Sequence, residues 1–555
     1  MQLKIERRLS LKIVKSFKIR LMKKLIFRVR KYFLFYFFLF ACHAHAQKVA
    51  WDKYIGGNYQ DYLADVVATG DNGFLLAGSS LSTTGGLKNS ENRGGLDFWL
   101  WKMNEQGDLD WQKSFGGHKT DMLHQVQHTK DGGFILVGTS DSDISFDKKQ
   151  NCFGETDIWV VKLNAKGAEE WQLTLGGHGY ENNPSIVQTK DGGFAIACSS
   201  SSGISGNKTS ENYGSLDYWL VKLNLKGEII WQQNYGGQWA DHLVSLIQTA
   251  DGGLLLGGHS NSNASGNKTQ DALGMNDYWL IKTNATGQMD WQKTFGGNKD
   301  ESLTALVASK NGGYLLGGST NSETEKAKVF GKTKTAMQII KLDEQGVEIW
   351  SKQYNYGQTN LLTTIIENED LTLTIGGYAK GAKSLSDGLA AFKTNDANTE
   401  DFLVVKLNDN GDYLWDKIIK NESEDVLKKI INTYDGGFLL AGTSMVLDSQ
   451  IRANSKRQGS QDFWLLKMTD ESLPTRVMET LKAIPNPTTG FTNIFVGQAF
   501  TTGQMTVVDL MGRQILSQTV DQRIIPLDMN QWQAGVYVIN IKIGKDQYTT
   551  KVIKD

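Results

Sequence analysis

Cysteine, proline and long apolar runs are all scarce in this chain, and each scarcity removes a class of architecture. Three Cys among 555 residues cannot staple a body of this size, so burial has to hold it together. Only 5 Pro are present. The longest apolar run, YFLFYFFLFA at 32–41, is too short to cross a bilayer as a helix. Basic runs are missing after residue 46. Residues 1–46 carry 12 Lys or Arg against one Glu, so the formal net charge of −1 hides a body near −12. Such a body gives no electrostatic case for nucleic acid as a partner. A nucleophile elbow, H-E-x-x-H, a phosphate loop, a Cys-pair zinc pattern and a compact D-x-D-x-D-G calcium loop are also missing. No catalytic residue and no metal ligand is assigned on these grounds.

What is abundant is Gly, at 59, and Trp, at 15, with much Ser, Thr and Asn. That is the composition of a secreted all-β protein. The N-terminus agrees. A positive segment, a short apolar run and Ala44-His45-Ala46 read as a signal peptide over 1–46, cut between Ala46 and Gln47. Met22 offers a more compact start. Leu39-Phe40-Ala41-Cys42 is a loose lipobox, with Phe40 bulky for that role. After cleavage Cys152 and Cys198 remain; one lies in a loop and the other ends an apolar strand, so independent thiols are expected.

The main signal is a repeat. Trp falls at 51, 111, 171, 231, 291, 350 and 415. GGFLLAG-type segments end at Gly78, Gly138, Cys198, Gly258, Gly318, Gly377 and Gly442, and DFWLVKLN-type segments carry Lys102, Lys162, Lys222, Lys282, Lys341, Lys406 and Lys467. Each copy reads as four strands. Strand a is LxxVxxT, an Asp-Gly-Gly hairpin turn follows, and strand b is GFLLAG. Strand c is aromatic-rich and apolar on both faces, as sheets stacked on sheets require. An Asn-x-x-Gly turn leads to strand d with its Trp. Four-stranded units repeated seven times predict a seven-bladed β-propeller over 47–470. The first copy starts with a bare strand d at Trp51 and the last lacks one, so the N-terminal strand should close the final blade and leave no open edge. Copies five and six are eroded: Ala336 replaces the Asp that opens strand c, and Glu369-Asp370-Leu371 replaces the turn.

On these motifs, residues 49–470 resemble the propeller repeats of bacterial secreted proteins. They are more distantly similar to quinoprotein-type propellers, where a Trp of each repeat docks on the next blade. The period stops near Glu471. Residues 471–482 read as a linker, and 483–555 as short strands forming a small Ig-like β-sandwich. AIPNPTTGF (Ala483 to Phe491), the D-x-x-G-R turn at Asp509, Gly512 and Arg513, and AGVYVINI from Ala534 closely resemble the type A C-terminal sorting domain of the type IX secretion system of Bacteroidetes. The resemblance implies that machinery as a partner, export after Sec transport, removal of the tail, and a secreted or outer-membrane cell-surface location.

Antiparallel order puts the long b–c loops and the d–a connections on one face, and the Asp-Gly-Gly and Asn-x-x-Gly turns on the other. Loops on a rigid scaffold are where binding usually lives, so Asn207, Lys208, Asn267 and Lys268 are the candidate binding residues; the longest such loop runs from Ala379 to Glu400. Two rows of carboxylates open strands a (Asp61, Asp121, Glu181, Asp241, Glu301, Asp425) and strands c (Asp97, Asp157, Asp217, Asp277, Asp401, Asp462). They suit Ca²⁺ or a cationic ligand, or, more plainly, hydrogen bonds from loop N–H groups. No other cofactor is implied. The strand-c lysines lie about 17 Å along the strand from those Asp, within reach of turn carboxylates such as Asp131, Asp191 and Asp251. His124 and His128 share a strand, a weak metal pattern. The resulting expectation is a monomeric, non-catalytic propeller binding an extracellular glycan or protein. A polysaccharide lyase or glycosidase on the same scaffold and a structural adhesion component are the alternatives.

Overall fold

The computed structural model describes residues 47–322, 335–382, 384, 399–420, 423–445, 459–470, 481–484, 486–488, 490–497 and 500–555. The expected signal peptide with Met22, Cys42 and Ala46, most of the 379–400 loop, and 471–480 of the expected linker lie outside the described residues.

Four-stranded antiparallel sheets repeat along residues 47–470, and the described residues contain strands without a single α-helix. The third sheet shows the pattern: strand a Glu181–Gln188, strand b Phe194–Ser200, strand c Asp217–Leu223, strand d Ile229–Tyr235, hydrogen-bonded in that order. Strands b and c are buried along their whole length in this sheet. Both faces of each sheet are covered by neighbouring sheets, which explains the lack of polar alternation in strand c. Strand a of each sheet packs on strand a of the next, and strand a of the last, Glu424–Asn432, packs on Asp61–Ala68 of the first. The fourth strand of that last sheet is Gln47–Ile55, beside Gln461–Asp470. This is a β-propeller.

The turns follow from backbone sterics. Gly132, Gly192, Gly252 and Gly436 take the left-handed position of the Asp-Gly-Gly hairpin at φ between 81° and 90°, whereas Asn72 and Leu371 occupy it in the first and sixth copies. The Asn-x-x-Gly turn has a second constraint. Gly167 has φ 73° and lies under the Trp111 ring of the preceding sheet, so close that a Cβ would sit 2.9 Å from it. The same docking recurs for Trp171 on Gly227, Trp231 on Gly287, Trp291 on Gly346 and Trp350 on Gly411.

The C-terminal module has two sheets sharing one core. Leu481–Ile484, Phe491–Val496 and Ile524–Asp528 form the first, and Gln514–Val520, Gly503–Asp509, Gly535–Ile543 and Asp546–Lys554 the second. Ile494, Val496, Val507, Ile539 and Ile541 are buried between them. The first strand starts at Leu481 and so runs across the expected 482/483 boundary. The D-x-x-G-R motif is a turn in which Asp509 accepts from Arg513 Nε at 2.7 Å and from the backbone N–H groups of Met511 and Arg513, with Gly512 at φ 77°.

Candidate long-loop face

Each described b–c loop of the first four copies closes on a two-residue hairpin: Gly85 with Lys88, Ser145 with Lys148, Ser205 with Lys208, Ser265 with Lys268. The lysines turn inward. Lys208 is 1 % exposed and donates to Ser202 O at 2.6 Å and Ser210 O at 3.2 Å. Lys268 does the same with Ser262 O at 2.8 Å and Gln270 O at 2.7 Å. Their ammonium groups lie about 6 Å from the ring centres of Trp219 and Trp279, a cation–π distance. Asn207 accepts from Gly176 N at 2.9 Å and donates to Thr174 O at 2.7 Å, and Asn267 repeats this with Gly236 N and Asn234 O. All four candidate residues therefore make contacts internal to the scaffold, stitching each loop to the outer strand of the preceding sheet.

A residue not singled out from the sequence completes the stitching. Gln232 follows Trp231; its Oε1 accepts from Trp219 Nε1 at 3.0 Å and Thr209 N at 2.9 Å, while its Nε2 donates to Asn207 O. Gln112, Gln172 and Gln292 accept likewise from Trp99, Trp159 and Trp279. The signal was the recurring Trp-Gln pair, absent in copy five, where Ser351 follows Trp350 and Gln338 replaces the buried Trp.

Both carboxylate rows are buried at the strand starts, and each takes backbone donors. Asp61, Asp121 and Asp241 accept from Gly57, Gly117 and Gly237 N at 2.6–2.7 Å, and Asp97 and Asp217 from Arg93 and Tyr213 N at 2.8 and 2.5 Å. The rows also meet in pairs, the strand-c Asp of one sheet facing the strand-a acid of the next. Asp157 Oδ1 and Glu181 Oε2 lie 2.1 and 2.7 Å from the position a Cβ would take on Gly176, so only glycine fits between them. Oδ1 of Asp97, Asp157, Asp217 and Asp277 is buried without a hydrogen-bond donor. Burial, then the neighbouring acid, pushes Asp157 up to about 7; burial pushes Asp97 and Asp241 up to about 6. Lys88, Lys148, Lys208 and Lys268 stand beside these pairs, and burial lowers their pKa values.

The junction between copies five and six loses both members together. Ala336 replaces the Asp and Asn360 replaces the acid. Asn360 accepts from Tyr356 N at 2.7 Å and Gly357 N at 2.9 Å, as an acid would, but its Nδ2 also donates to Thr335 O at 2.8 Å and Gly357 O at 3.1 Å. Asn360→Asp turns two donated bonds into acceptor–acceptor contacts at a fully buried site. It is expected to cost about 2–4 kcal/mol, readable by urea unfolding.

On the opposite face Lys222 Nζ lies 3.0 Å from Asp191, Lys162 2.8 Å from Asp131, Lys282 2.8 Å from Asp251 and Lys467 2.6 Å from Asp435. These ion pairs anchor the Asp-Gly-Gly turns to strand c. Cys152 and Cys198 are free thiols; Cys152 donates to Ser140 O at 3.1 Å, and burial pushes it up to about 11. His124 has its Nδ1 on Met122 O at 3.1 Å and His128 packs edge-on against Phe134. Among the described residues no group of three or more His, Cys, Asp or Glu is placed to hold a metal ion.

The exposed aromatics are distributed unevenly. Among the described residues they are Tyr59, Tyr62, Phe146, Phe153, Tyr180, Tyr213 and Trp239, and all seven lie at the long-loop end of the first four copies. Their backbone is pinned: Ser82, Ser201 and Ser262 hydroxyls accept from the N–H groups of Tyr59, Tyr180 and Trp239 at 2.8–3.0 Å. Phe146 sits at φ 45° in the hairpin position that Gly86, Gly206 and Gly266 occupy elsewhere.

Among proteins of known sequence, regulatory protein FlaEY of Caulobacter vibrioides is 26 % identical over 241 residues, 41 % of this chain, which spans 25 % of that relative's length. Solved structures with similar folds include BBS1N in complex with ARL6DN (9 % identity, 77 % of this chain and 98 % of that one, TM-score 0.41). The Neurospora crassa Pan2 WD40 domain matches with 10 % identity over 75 % of this chain and 92 % of that one, TM-score 0.40. PorZ, a surface component of the type IX secretion system of Porphyromonas gingivalis, matches with 9 % identity over 90 % of this chain and 85 % of its own, TM-score 0.24. The C-terminal module matches a defined family over residues 482–555. That module is a secretion system C-terminal sorting domain, and it marks the chain as a protein secreted or attached to the cell surface through type IX secretion.

Proposed function

We propose that the chain is an exported seven-bladed β-propeller, carried by an Ig-like sorting tail, that binds an extracellular glycan on its long-loop face without transforming it. The observation that supports this is the confinement of every exposed aromatic among the described residues to that face. Flat Tyr and Trp rings cover the apolar faces of sugars at low entropic cost while their polar edges stay wet. Exposed amide and imidazole groups stand beside them, at Asn58, His178 and Gln238. Loop hairpins held by buried Lys and half-buried Asn and Gln side chains keep these rings in place before any ligand arrives, which reduces the ordering cost of binding. The reading requires no ion.

A glycan array probed with the mature chain, residues 47–555, tests it. Binding should survive EDTA, and Trp239→Ala and Tyr180→Ala should each weaken it at least tenfold with the melting temperature unchanged. Loss of binding in EDTA would move the site to the paired carboxylates. Release of oligosaccharide products would make the protein an enzyme, and an array without hits alongside a captured protein ligand would sink the glycan reading.

A further inference from the structure

The Asp-Gly-Gly turns of the first, second and seventh copies meet the sorting domain: at Gly132 of the second, the side chain of Asn493 occupies the space a Cβ would take. Before the turn carboxamide or carboxylate, copies two, three and five carry Lys130, Lys190 and Lys310, copy four Ala250 and copy six Glu369; copy one carries Gly70 and copy seven Tyr434. Phe495 of the sorting domain lies against Gly70, so close that a Cβ there would stand 2.1 Å from its ring. Lys482 Nζ lies 4.9 Å from the ring centre of Tyr434. Arg523 donates to Asp71 O at 3.0 Å.

The sorting domain presents a matching patch. Along Phe491–Val496, Ile494 and Val496 point into its own core, so alternation turns Phe495 outward. Phe495 pairs across the sheet with Ile524, and both are buried by packing with Ala165 of the second copy's Asn-x-x-Gly turn, at 3 %, 7 % and 9 % exposure. Without the propeller these two large side chains would form an apolar patch on the outer face of a three-stranded sheet.

We infer that the turn face of the first, second and seventh sheets is a seat for the protein's own sorting domain, occupied while the two are tethered and vacated once the linker is cut. The contact is small: an apolar cluster, Asn493 packed on Gly132, one backbone-directed hydrogen bond and one cation–π pair. Contacts of that size are weak between separate molecules. The tether changes the balance. Ten residues, 471–480, separate the two, and a short tether holds the domain at an effective concentration in the millimolar range. At micromolar protein, cutting that tether lowers the concentration by about a thousandfold and empties the seat. The seat lies on the face opposite the exposed aromatics, so it is independent of what that face binds.

Hydrogen exchange on the mature chain tests this. Amides of Gly70–Asn72 should exchange at least tenfold faster in Phe495→Asp than in the wild type, with the melting transitions unchanged. Gly70→Lys, which installs the residue carried by sibling turns, should give the same acceleration. A specific protease site placed within 471–480 should, when cut at micromolar concentration, release the domain as a separate species on gel filtration and raise exchange at Gly70–Asn72 to the variant level. Equal exchange in wild type, Phe495→Asp and Gly70→Lys would overturn the seat. A cut domain that stays bound at micromolar concentration would overturn its dependence on the tether.

Discussion

Asp157→Asn is expected to gain about 2–3 kcal/mol of stability relative to the wild type when the pH is raised from 5 to 8. The Asp157 carboxyl accepts from Phe153 N at 2.5 Å through Oδ2, while Oδ1 is buried, has no donor and faces the Glu181 carboxylate. Burial first, then the charge of Glu181, pushes its pKa from 3.8 up to about 7. A folded-state pKa above the unfolded value means the folded protein holds a proton that the unfolded chain releases. That stability is fully present below pH 3.8 and is lost as the pH climbs through 7. Each pH unit inside the window is worth about 1.4 kcal/mol for one such group. The magnitude above follows from the part of the window lying between pH 5 and 8. Asn keeps the acceptor for Phe153 N and supplies a permanent donor toward Glu181, so the variant does not titrate there.

The comparison has to be made as a difference between variant and wild type. Burial lowers the pKa values of His124, His128, His242 and His259, the last to about 4. These groups make the folded state less stable as the pH falls from 6.5, opposing the carboxyls; the subtraction cancels them. Urea unfolding of both proteins at the two pH values reads the effect. A stability difference that does not change with pH would show that no shared proton stands between the carboxyls.

Lys102→Met is expected to cost about 3–5 kcal/mol, whereas Lys222→Met should cost about 1 kcal/mol in lost charge interaction. Both lysines make the same turn-anchoring pair, but the surroundings differ. Asp71 lies 2.8 Å from Lys102 Nζ with a side chain 2 % exposed, while Asp191 pairs with Lys222 at 3.0 Å and is 60 % exposed. Removing Lys102 leaves a buried carboxylate whose hydrogen-bond donors, Thr69 and Gly73 N, are neutral, with only the Arg523 guanidinium nearby to offset its charge. Water replaces Lys222 at Asp191. Lys102 also reaches Asp110 at 3.0 Å and Met103 O at 3.0 Å. The double variant Lys102→Met/Asp71→Asn should recover a large part of the loss, because the fully buried carboxylate is gone and Asp110, with its side chain 28 % exposed, is left to water. Chemical denaturation of the four proteins gives the coupling, and additive losses would show that Lys102 and Asp71 act independently.

The contrast between Lys102 and Lys222 shows what a repeat reveals and what it hides. Position, strand and turn partner were legible from spacing alone: five residues past the opening Asp, a lysine at strand-c pitch arrives beside the Asp-Gly-Gly turn. How deeply the pair is buried was not legible, because neighbouring sheets and the sorting domain cover the first copy's turn and leave the third copy's turn in water. The loop lysines carried the same ambiguity. In a polar loop, Asn207, Lys208, Asn267 and Lys268 read as exposed groups. Only the folded loop shows that Lys208 turns under its own hairpin to reach Ser202 O and Ser210 O. The exposed aromatics posed the opposite problem. Tyr59, Tyr180 and Trp239 stand at copy-specific positions next to Gly-Gly, and nothing local separates them from the buried aromatics of strand c.

By itself the sequence determined the strand pattern, the turn chemistry, the pairing of turn carboxylate with strand-c lysine, and the export tail. Each depends on local sterics or on a fixed number of residues along one strand, so each repeats with the period. The tertiary structure alone decided which acids face each other across a sheet junction, which loop side chains are consumed by the scaffold, and which turns lie beneath the sorting domain. Those outcomes depend on contacts between residues in different copies, and spacing along the chain does not encode the distance between them.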